Sequence, residues 1–80
     1  MRLTLLSRTY CHLCHEMEQQ VRARLPQGWG LEVVDIDQHP QLESQYDEQV
    51  PVLLAGEQEL FHHFFDPAQW QAFLGRRGIG

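Results

Sequence analysis

The sequence predicts one α/β domain, in which a four-stranded mixed sheet carries helices on both of its faces. Four short apolar runs suited to strands alternate with helical patterns in the order β-α-β-α-β-β-α. The opening β-α-β unit requires two parallel strands joined by a right-handed crossover, whereas the last two strands are close enough for an antiparallel hairpin. A length of 80 residues supports one hydrophobic core, so we assign residues 1–80 to a single domain.

The first half of the chain holds two predicted strands separated by a helix. Leu3–Leu6 is a short apolar run suited to a strand that is buried on both faces. A helix is predicted from about His12 to Leu25, because apolar residues recur every four positions while polar residues take the other side. Pro26 and the glycines after it end this helix, and Leu31–Ile36 is predicted to be a second buried strand.

The middle of the chain predicts a short helix followed by a hairpin. Asp37 is placed to cap the helix, which has Pro40 in its first turn. Val50–Ala55 is the third predicted strand and Leu60–Phe65 is the fourth. The turn between these two strands is predicted at Gly56–Glu59.

The last helix has the clearest start signal in the chain. Asp66 is a capping residue, Pro67 occupies the first helical position, and Gln69 occupies the third. Gly75 is predicted to end the helix. Its apolar face consists of Trp70, Phe73 and Leu74. We assign four aromatic side chains to the core, namely Phe61, Phe64, Trp70 and Phe73.

Charge and hydropathy limit the partners of the chain. A net charge of -5 without any lysine argues against nucleic acid and against anionic membrane surfaces, because both attract basic faces. No apolar run approaches the roughly 20 residues of a membrane span. The apolar run at the amino terminus is too short for a signal peptide. We therefore expect a cytoplasmic monomer with neither nucleic acid nor membrane as a partner.

Both cysteines of the chain lie in one C-x-x-C pattern, where the first strand passes into the first helix. A disulfide between Cys11 and Cys14 would close too small a loop to constrain the unfolded chain, and a close cytoplasmic pair is more often catalytic or metal-binding. Unpaired N–H groups and the helix dipole stabilise a thiolate at this position. Cys11 is therefore predicted to attack a disulfide, and Cys14, on the apolar side of the helix, to resolve the mixed disulfide.

The run LLSRTYCHLC, the order of the elements, and Val50-Pro51 at the start of the third strand together resemble the glutaredoxins. Among these, the chain is similar to small bacterial glutaredoxin-like proteins with a CHLC or CxLC site. The resemblance extends from Leu3 to Leu74. It implies a thioredoxin-like fold and a thiol–disulfide oxidoreductase with a redox-active centre. Such proteins serve cell redox homeostasis by electron transfer, with Cys11 as the nucleophile and Cys14 as the resolving thiol.

The resemblance also implies a set of substrate-binding residues. Pro51 matches the cis-proline beside the active site of the family, and Val50 matches the residue whose backbone pairs with an extended thiol substrate. Arg8 takes the place of a cation that either raises thiolate content or holds a substrate carboxylate. Tyr10 is either a wall of the thiol site or a surface aromatic. His12 is either a cation beside the thiols or a solvent-facing residue.

Two departures from the glutaredoxins affect the expected partners. His12 and Leu13 replace the usual proline and aromatic residue between the cysteines. The glycine pair and aspartate that help to bind glutathione after the fourth strand are absent, and Asp66 there resembles a helix cap. We therefore expect a disulfide-containing protein or small molecule as substrate and no bound cofactor. We expect the reductant to be glutathione or a protein similar to thioredoxin reductase, and we expect glutathione to be used poorly or moderately.

Rival functions use the same cysteines. A zinc or iron–sulfur site would combine Cys11 and Cys14 with His15, His62 or His63. One C-x-x-C supplies two of the four ligands of a closed site, and adjacent strand residues such as His62 and His63 point to opposite faces. The C-x-x-C-H pattern also permits haem attachment, which the missing export signal and the strand content disfavour. A thioredoxin-fold binding module without rapid turnover is the remaining rival.

Overall fold

A computed structural model of the protein describes residues 1–79. The strands are β1 (Arg2–Ser7), β2 (Gly30–Asp35), β3 (Val52–Ala55) and β4 (Gln58–His62). The helices are α1 (His12–Arg22), α2 (Pro40–Tyr46) and α3 (Pro67–Arg76), with a 3-10 turn at Ile36–Gln38 before α2. In the part of the chain described, none of the helices combines the length and apolar character needed to span a membrane.

The sheet has the strand order β2-β1-β3-β4. β1 pairs with β2 in parallel and with β3 antiparallel, and β3 and β4 form an antiparallel hairpin. These pairings follow from the short Gly56 turn and from the long crossover through α1, as predicted. The thioredoxin-like fold class, with a four-stranded mixed sheet, is confirmed.

Side chains alternate along β1 between two core layers, because successive strand residues point to opposite faces of a sheet. Leu5 lies in the layer between the sheet and the helices α1 and α3, whereas Leu6 lies in the layer under α2. The larger layer buries Leu3, Leu5, Met17, Val21, Leu53, Ala55, Phe61, Trp70, Phe73 and Leu74. The smaller layer buries Leu6, Ile36 and Val52, with Leu42 and Tyr46 of α2 packed against it. Helices therefore cover both faces, as predicted.

β2 differs from the buried strand that the sequence predicts. It runs over Gly30–Asp35, one residue earlier than predicted, and Ile36 begins the 3-10 turn. Glu32 is exposed and Val33 is 38% exposed. The reason is that β2 lies at an edge of the sheet, where the helices cover it incompletely. An apolar run of this length occurs in edge and central strands alike.

β4 and the segment after it also differ from the prediction. The strand ends at His62 rather than Phe65, and His63 has a φ of 68°, a left-handed conformation that strand residues avoid. Phe64 is consequently turned outwards and is 67% exposed. Its assignment to the core is wrong, whereas Phe61 is buried as predicted.

The capping of α2 follows a different arrangement from the predicted one. The N-cap position is His39, and Asp37 lies within the 3-10 turn that precedes the helix. The carboxylate that accepts a capping hydrogen bond belongs to Asp35, which receives the N–H of Asp37 at 2.9 Å. The capping interaction therefore occurs two residues earlier than predicted and stabilises the turn instead of the helix.

The ends of α1 and α3 depend on local residues as well as on the apolar periodicity of the sequence. α1 ends at Arg22 rather than Leu25, since Pro26 disfavours helical backbone at the residue before it. α3 begins as predicted, and the Asp66 carboxylate accepts the N–H of Gln69 at 3.1 Å. The helix continues to Arg76, one residue past the predicted stop at Gly75. Gly78, with a φ of 76°, provides the left-handed turn that follows.

Candidate active site at the dithiol loop

Cys11 lies at the N-cap position of α1. Its backbone is extended, with φ −114° and ψ 107°, and its carbonyl accepts the N–H of His15 at 3.2 Å in the first helical turn. Its sulfur accepts a hydrogen bond from the main-chain N–H of Cys14 at 3.1 Å. A cysteine sulfur therefore takes the capping role that a serine or aspartate oxygen usually has.

Cys11 and Cys14 form a disulfide, with Cα atoms 5.1 Å apart, inside the range that disulfides require. Their exposure is unequal, because Cys14 is fully buried while Cys11 is partly exposed. The burial of Cys14 follows from its place on the apolar stripe of α1, which continues with Met17 and Val21. A disulfide of another molecule can therefore reach the sulfur of Cys11 more readily than the sulfur of Cys14.

The side chains that flank the dithiol are exposed. Tyr10 is fully exposed and Leu13 is 37% exposed. The His12 side chain is 87% exposed, and its Nε2 lies 3.3 Å from Oε1 of Glu16, one helical turn further on. These residues form an accessible rim around Cys11. The pairing with Glu16 agrees with the interpretation of His12 as a solvent-facing residue.

Val50 and Pro51 precede β3, and the peptide bond between them is cis, as predicted. Pro51 is buried, and its carbonyl accepts the N–H of His63 at 2.8 Å. Val50 packs against the smaller core layer that Leu6 and Val52 share. The Val50–Pro51 segment is therefore joined both to the core and to the loop after β4.

His63 contacts the segment before β3, a role that the sequence does not predict. Besides the hydrogen bond from its N–H to Pro51, its ring Nε2 lies 2.7 Å from the carbonyl oxygen of Glu48. The side chain therefore connects the β4–α3 loop to the segment before β3. The strand pattern concealed this role, because it placed His63 inside β4, where side chains project from the faces of the sheet.

Arg8 lies between two carboxylates of its own chain. Its Nη2 donates a hydrogen bond to Oδ1 of Asp47 at 2.6 Å, and its Nε lies 3.1 Å from Oδ1 of Asp37. The hydrogen bond with Asp47 raises the pKa of Arg8 above its ordinary value. Next to it, the hydroxyl of Thr9 donates to Asp35 at 3.0 Å. The loop that leads into Cys11 is therefore attached to the segments before and after α2.

A groove of about 170 Å³ lies between α1 and the loop after β4. Leu13, beside Cys14 in the chain, and the exposed Phe64 supply apolar surface at its opening, and Glu16 supplies a carboxylate. The complete lining is Leu13, Glu16, Met17, Gln20, His63, Phe64 and Phe65. One lining residue, Leu13, thus directly precedes Cys14, and the groove has space for a side chain of a partner molecule.

The zinc hypothesis needs a cluster of ligands around the cysteines. Within residues 1–79, no group of three or more His, Cys, Asp or Glu side chains is arranged to hold a metal ion. His62 instead pairs with Glu59, whose Oε2 lies 2.8 Å from its Nδ1, and His63 binds the Glu48 carbonyl. Two of the three histidines that this hypothesis offers, His62 and His63, are thus engaged elsewhere, while His15 is exposed on α1.

The profile of the family described as Glutaredoxin-like domain (DUF836) matches residues 2–75. Among solved structures, target protein XcR50 from X. campestris is 36% identical, with a TM-score of 0.72 over 92% of this chain and 96% of that one. The glutaredoxin-like protein NrdH-redoxin from Escherichia coli is 27% identical, with a TM-score of 0.64 over 89% and 93%. No curated protein matches the chain.

A malarial protein has the same fold at 19% identity, with a TM-score of 0.54 over 94% of this chain and 93% of that one. The family match and the similarity to NrdH-redoxin support a thiol–disulfide redox function, and the bonded sulfurs of Cys11 and Cys14 agree with it. The resemblance stated from the CHLC motif is confirmed.

Proposed function

The chain belongs to the glutaredoxin-like domain family, and we propose that it is a dithiol–disulfide oxidoreductase that reduces disulfides in polypeptide substrates. One observation carries this proposal above the others. A disulfide-bonded pair begins α1, with a partly exposed first sulfur and a fully buried second sulfur within one helical turn. Thiol–disulfide exchange needs this asymmetry, because one thiol must meet the substrate and the other must displace it.

The catalytic cycle begins with both cysteines reduced. The Cys11 thiolate attacks one sulfur of the substrate disulfide, the substrate S–S bond breaks, and the second substrate sulfur leaves and takes up a proton. Cys14, as its thiolate, then attacks the Cys11 sulfur of the mixed disulfide and releases the first substrate sulfur as a thiol. The substrate gains two electrons and two protons, and the Cys11–Cys14 disulfide forms. An external dithiol or thiol reductant restores the starting state.

The N-cap position favours the first of these steps. The N–H of Cys14 lies 3.1 Å from the Cys11 sulfur, and a hydrogen bond of this kind is stronger to a thiolate than to a thiol. The positive end of the α1 dipole acts in the same direction. Both effects stabilise the nucleophilic form of Cys11.

We propose that the substrate lies in an extended conformation along Val50–Pro51, the segment before β3 that we call the Val50–Pro51 edge. The backbone of Val50 pairs with the substrate there. Tyr10 and His12 contact the substrate at the exposed rim of the dithiol loop. The groove that contains Phe64 receives a side chain of the same polypeptide. This arrangement is supported by the exposure of the rim and of Phe64.

We propose polypeptide disulfides rather than glutathione as substrates because of the apolar surface near the dithiol and the negative charge of the chain. Tyr10, Leu13 and Phe64 are exposed, and large apolar groups near a site favour a partner with apolar surface. Glutathione carries two carboxylates, while the chain has a net charge of -5 and the positive charge of Arg8 is already offset by Asp37 and Asp47. NrdH-redoxin, itself glutaredoxin-like, is described as having a thioredoxin-like activity profile, which supports the same preference and a reductant similar to thioredoxin reductase.

We also propose that residues 1–80 act as a single domain and as a cytoplasmic monomer with no bound cofactor. One continuous sheet with a core layer on each face supports the assignment of one domain. The net charge of -5 supports a monomer, because copies of the chain repel one another, and the close cysteine pair is typical of a catalytic site in a cytoplasmic protein.

A comparison of two substrates tests the function. We expect kcat/KM for a disulfide-bonded protein such as insulin to exceed kcat/KM for a glutathione mixed disulfide by about tenfold, a difference of 1.4 kcal/mol. Activity on both substrates should disappear in Cys11→Ser, which provides the control. Equal or higher kcat/KM with the glutathione substrate would show that glutathione is the preferred partner. Absence of activity with both would contradict the oxidoreductase itself.

A further inference from the structure

The segment Asp47–Pro51 is held from two sides by residues far away in the chain. The carboxylate of Asp47 accepts a hydrogen bond from Arg8 at 2.6 Å, across a separation of 39 residues. The carbonyl oxygens of Glu48 and Pro51 bind His63, the first through its ring at 2.7 Å and the second through its N–H at 2.8 Å. The loop before Cys11 and the loop after β4 therefore meet at this segment.

Burial alone does not hold the first part of this segment. Asp47, Glu48 and Gln49 are all exposed, and the N–H of Gln49 is bonded back to the carbonyl of Tyr46 at 2.8 Å, in the last turn of α2. Exposed backbone with few apolar contacts has a low free energy of local opening. The contacts from Arg8 and His63 are accordingly the ones that hold the exposed residues 47–49, whereas Val50 and Pro51 are also held by the core.

Arg8 is suited to this task by its shape. A guanidinium presents several N–H groups in a rigid plane, and here Nη2 donates a hydrogen bond to Asp47 while Nε lies within ion-pair distance of Asp37 without a hydrogen bond to it. The Arg8 side chain is 30% exposed, and its partners Asp37 and Asp47 are 49% and 60% exposed, so the pairing contributes little to global stability. The pairing links the loop before Cys11 directly to the segment that ends in Pro51.

His63 holds the segment from the opposite side, at a visible conformational cost. Its φ of 68° is unfavourable for a residue other than glycine, and such backbone persists where surrounding contacts determine it. Those contacts are its ring bond to Glu48 and its N–H bond to Pro51. The neighbouring His62 makes a different contact, with Glu59 on its own strand.

We propose that Arg8 and His63 are positioning residues of the active site, which hold Asp47–Pro51 so that the Val50–Pro51 edge has a fixed place beside the dithiol loop. The part of this inference that concerns substrate rests on the proposed function. Arg8 acts through its internal carboxylates, and a substrate carboxylate has no share in its role. A preorganised edge strengthens binding because the substrate does not have to order it.

Two variants and two matched controls separate this role from general stability. Arg8→Gln removes the charged fork, and His63→Gly removes the ring while it preserves the backbone N–H and accepts the positive φ. Arg22→Gln is the control for the first, since Arg22 pairs with Glu18 at 2.9 Å on the exposed side of α1. Glu59→Gln is the control for the second, since it breaks the pair between Glu59 and His62 and leaves both histidine rings in place. Each control loses a surface pair that lies outside the segment.

Three measurements are made on each variant, well below its unfolding temperature. We expect KM for insulin to rise about three- to tenfold in Arg8→Gln and in His63→Gly, with kcat within about twofold of wild type. The rate of Cys11 alkylation should remain within about twofold, because iodoacetamide does not use the edge. Hydrogen–deuterium exchange should accelerate in a peptide that spans residues 47–52, and the controls should match wild type in all three measurements.

The conservative variant Arg8→Lys should lie between Arg8→Gln and wild type in KM, since an ammonium retains the charge without the planar fork. Exchange over residues 47–52 that is as slow in Arg8→Gln and His63→Gly as in wild type would overturn the proposal. So would a fall in Cys11 alkylation equal to the loss in kcat/KM, because Arg8 would then act on the thiolate. If wild type reduces no disulfide, the proposed function fails, and the exchange data still decide whether Arg8 and His63 position the segment.

Discussion

The main-chain N–H of Cys14 donates a hydrogen bond to the sulfur of Cys11 at 3.1 Å, across the first turn of α1. The same turn brings the two Cα atoms to 5.1 Å, which allows the sulfurs to bond. One local geometry therefore serves two steps of thiol–disulfide exchange, the stabilisation of the attacking thiolate and the displacement of the substrate. The difference between the two cysteines lies in their exposure.

Alkylation of the reduced protein should reveal that difference. We expect iodoacetamide at neutral pH to modify Cys11 at least about tenfold faster than Cys14, because Cys14 is fully buried while the Cys11 thiolate is stabilised and accessible. Peptide mass spectrometry after timed quenching measures both rates. In urea the two rates should converge, since both effects depend on the fold. Faster modification of Cys14 in the native protein would reverse the assigned roles.

Asp66 should act as a helix cap and not as a ligand for substrate. We expect Asp66→Ala to lower the free energy of unfolding by about 1 kcal/mol, the usual value of an N-cap side chain. Asp66→Asn should retain most of that stability, because an amide oxygen can accept the N–H of Gln69 as the carboxylate does at 3.1 Å. Urea unfolding measures both variants, with the exposed turn residue Glu57→Ala as the neutral control.

The kinetics of Asp66→Asn complete this test. Its kcat/KM for a glutathione mixed disulfide should equal that of wild type, because the Asp66 carboxylate caps α3 and does not bind substrate. A loss of about tenfold or more in a variant of unchanged stability would mean that the carboxylate binds glutathione.

Phe64 and Phe61 offer a matched comparison of a surface aromatic with a core aromatic. Phe64 is 67% exposed at the groove, so Phe64→Ala should raise KM for insulin severalfold and change the unfolding free energy by less than about 0.5 kcal/mol. Phe61 is 7% exposed, so Phe61→Ala should destabilise the protein by about 3–5 kcal/mol. Steady-state kinetics and urea unfolding separate the two effects. An unchanged KM in Phe64→Ala would remove the groove from the substrate site.

The parts of the fold that the sequence predicts are those that local chemistry determines. Asp followed by Pro is a strong local signal for a helix start, and the capping bond from Gln69 to Asp66 is present as expected. The C-x-x-C pattern between a strand and a helix similarly places Cys11 at an N-cap. Only short-range interactions are needed to infer either feature.

The parts that the sequence does not predict depend on distant partners. In the sequence, the apolar run that contains Phe64 is indistinguishable from a strand. In the structure, His63 binds Glu48 and Pro51, and the chain turns there. The position of Arg8 suggests a cation near the thiols, yet its partner Asp47 lies 39 residues away. Such contacts become visible when the sheet order is known.

Reduction of a disulfide by this site requires that Cys11 forms a covalent mixed disulfide with the substrate and that Cys14 resolves it. Cys14→Ser removes the resolving thiol, so the mixed disulfide should accumulate. The measurement is intact-protein mass spectrometry of reduced Cys14→Ser after incubation with insulin, with Cys11→Ser and the wild-type protein treated in parallel. We predict an insulin-chain adduct on Cys11 of Cys14→Ser that dithiothreitol removes, with little adduct on wild type and none on Cys11→Ser. A Cys14→Ser protein that remains folded and free of adduct would contradict these roles of the two cysteines, as would an equal adduct on Cys11→Ser.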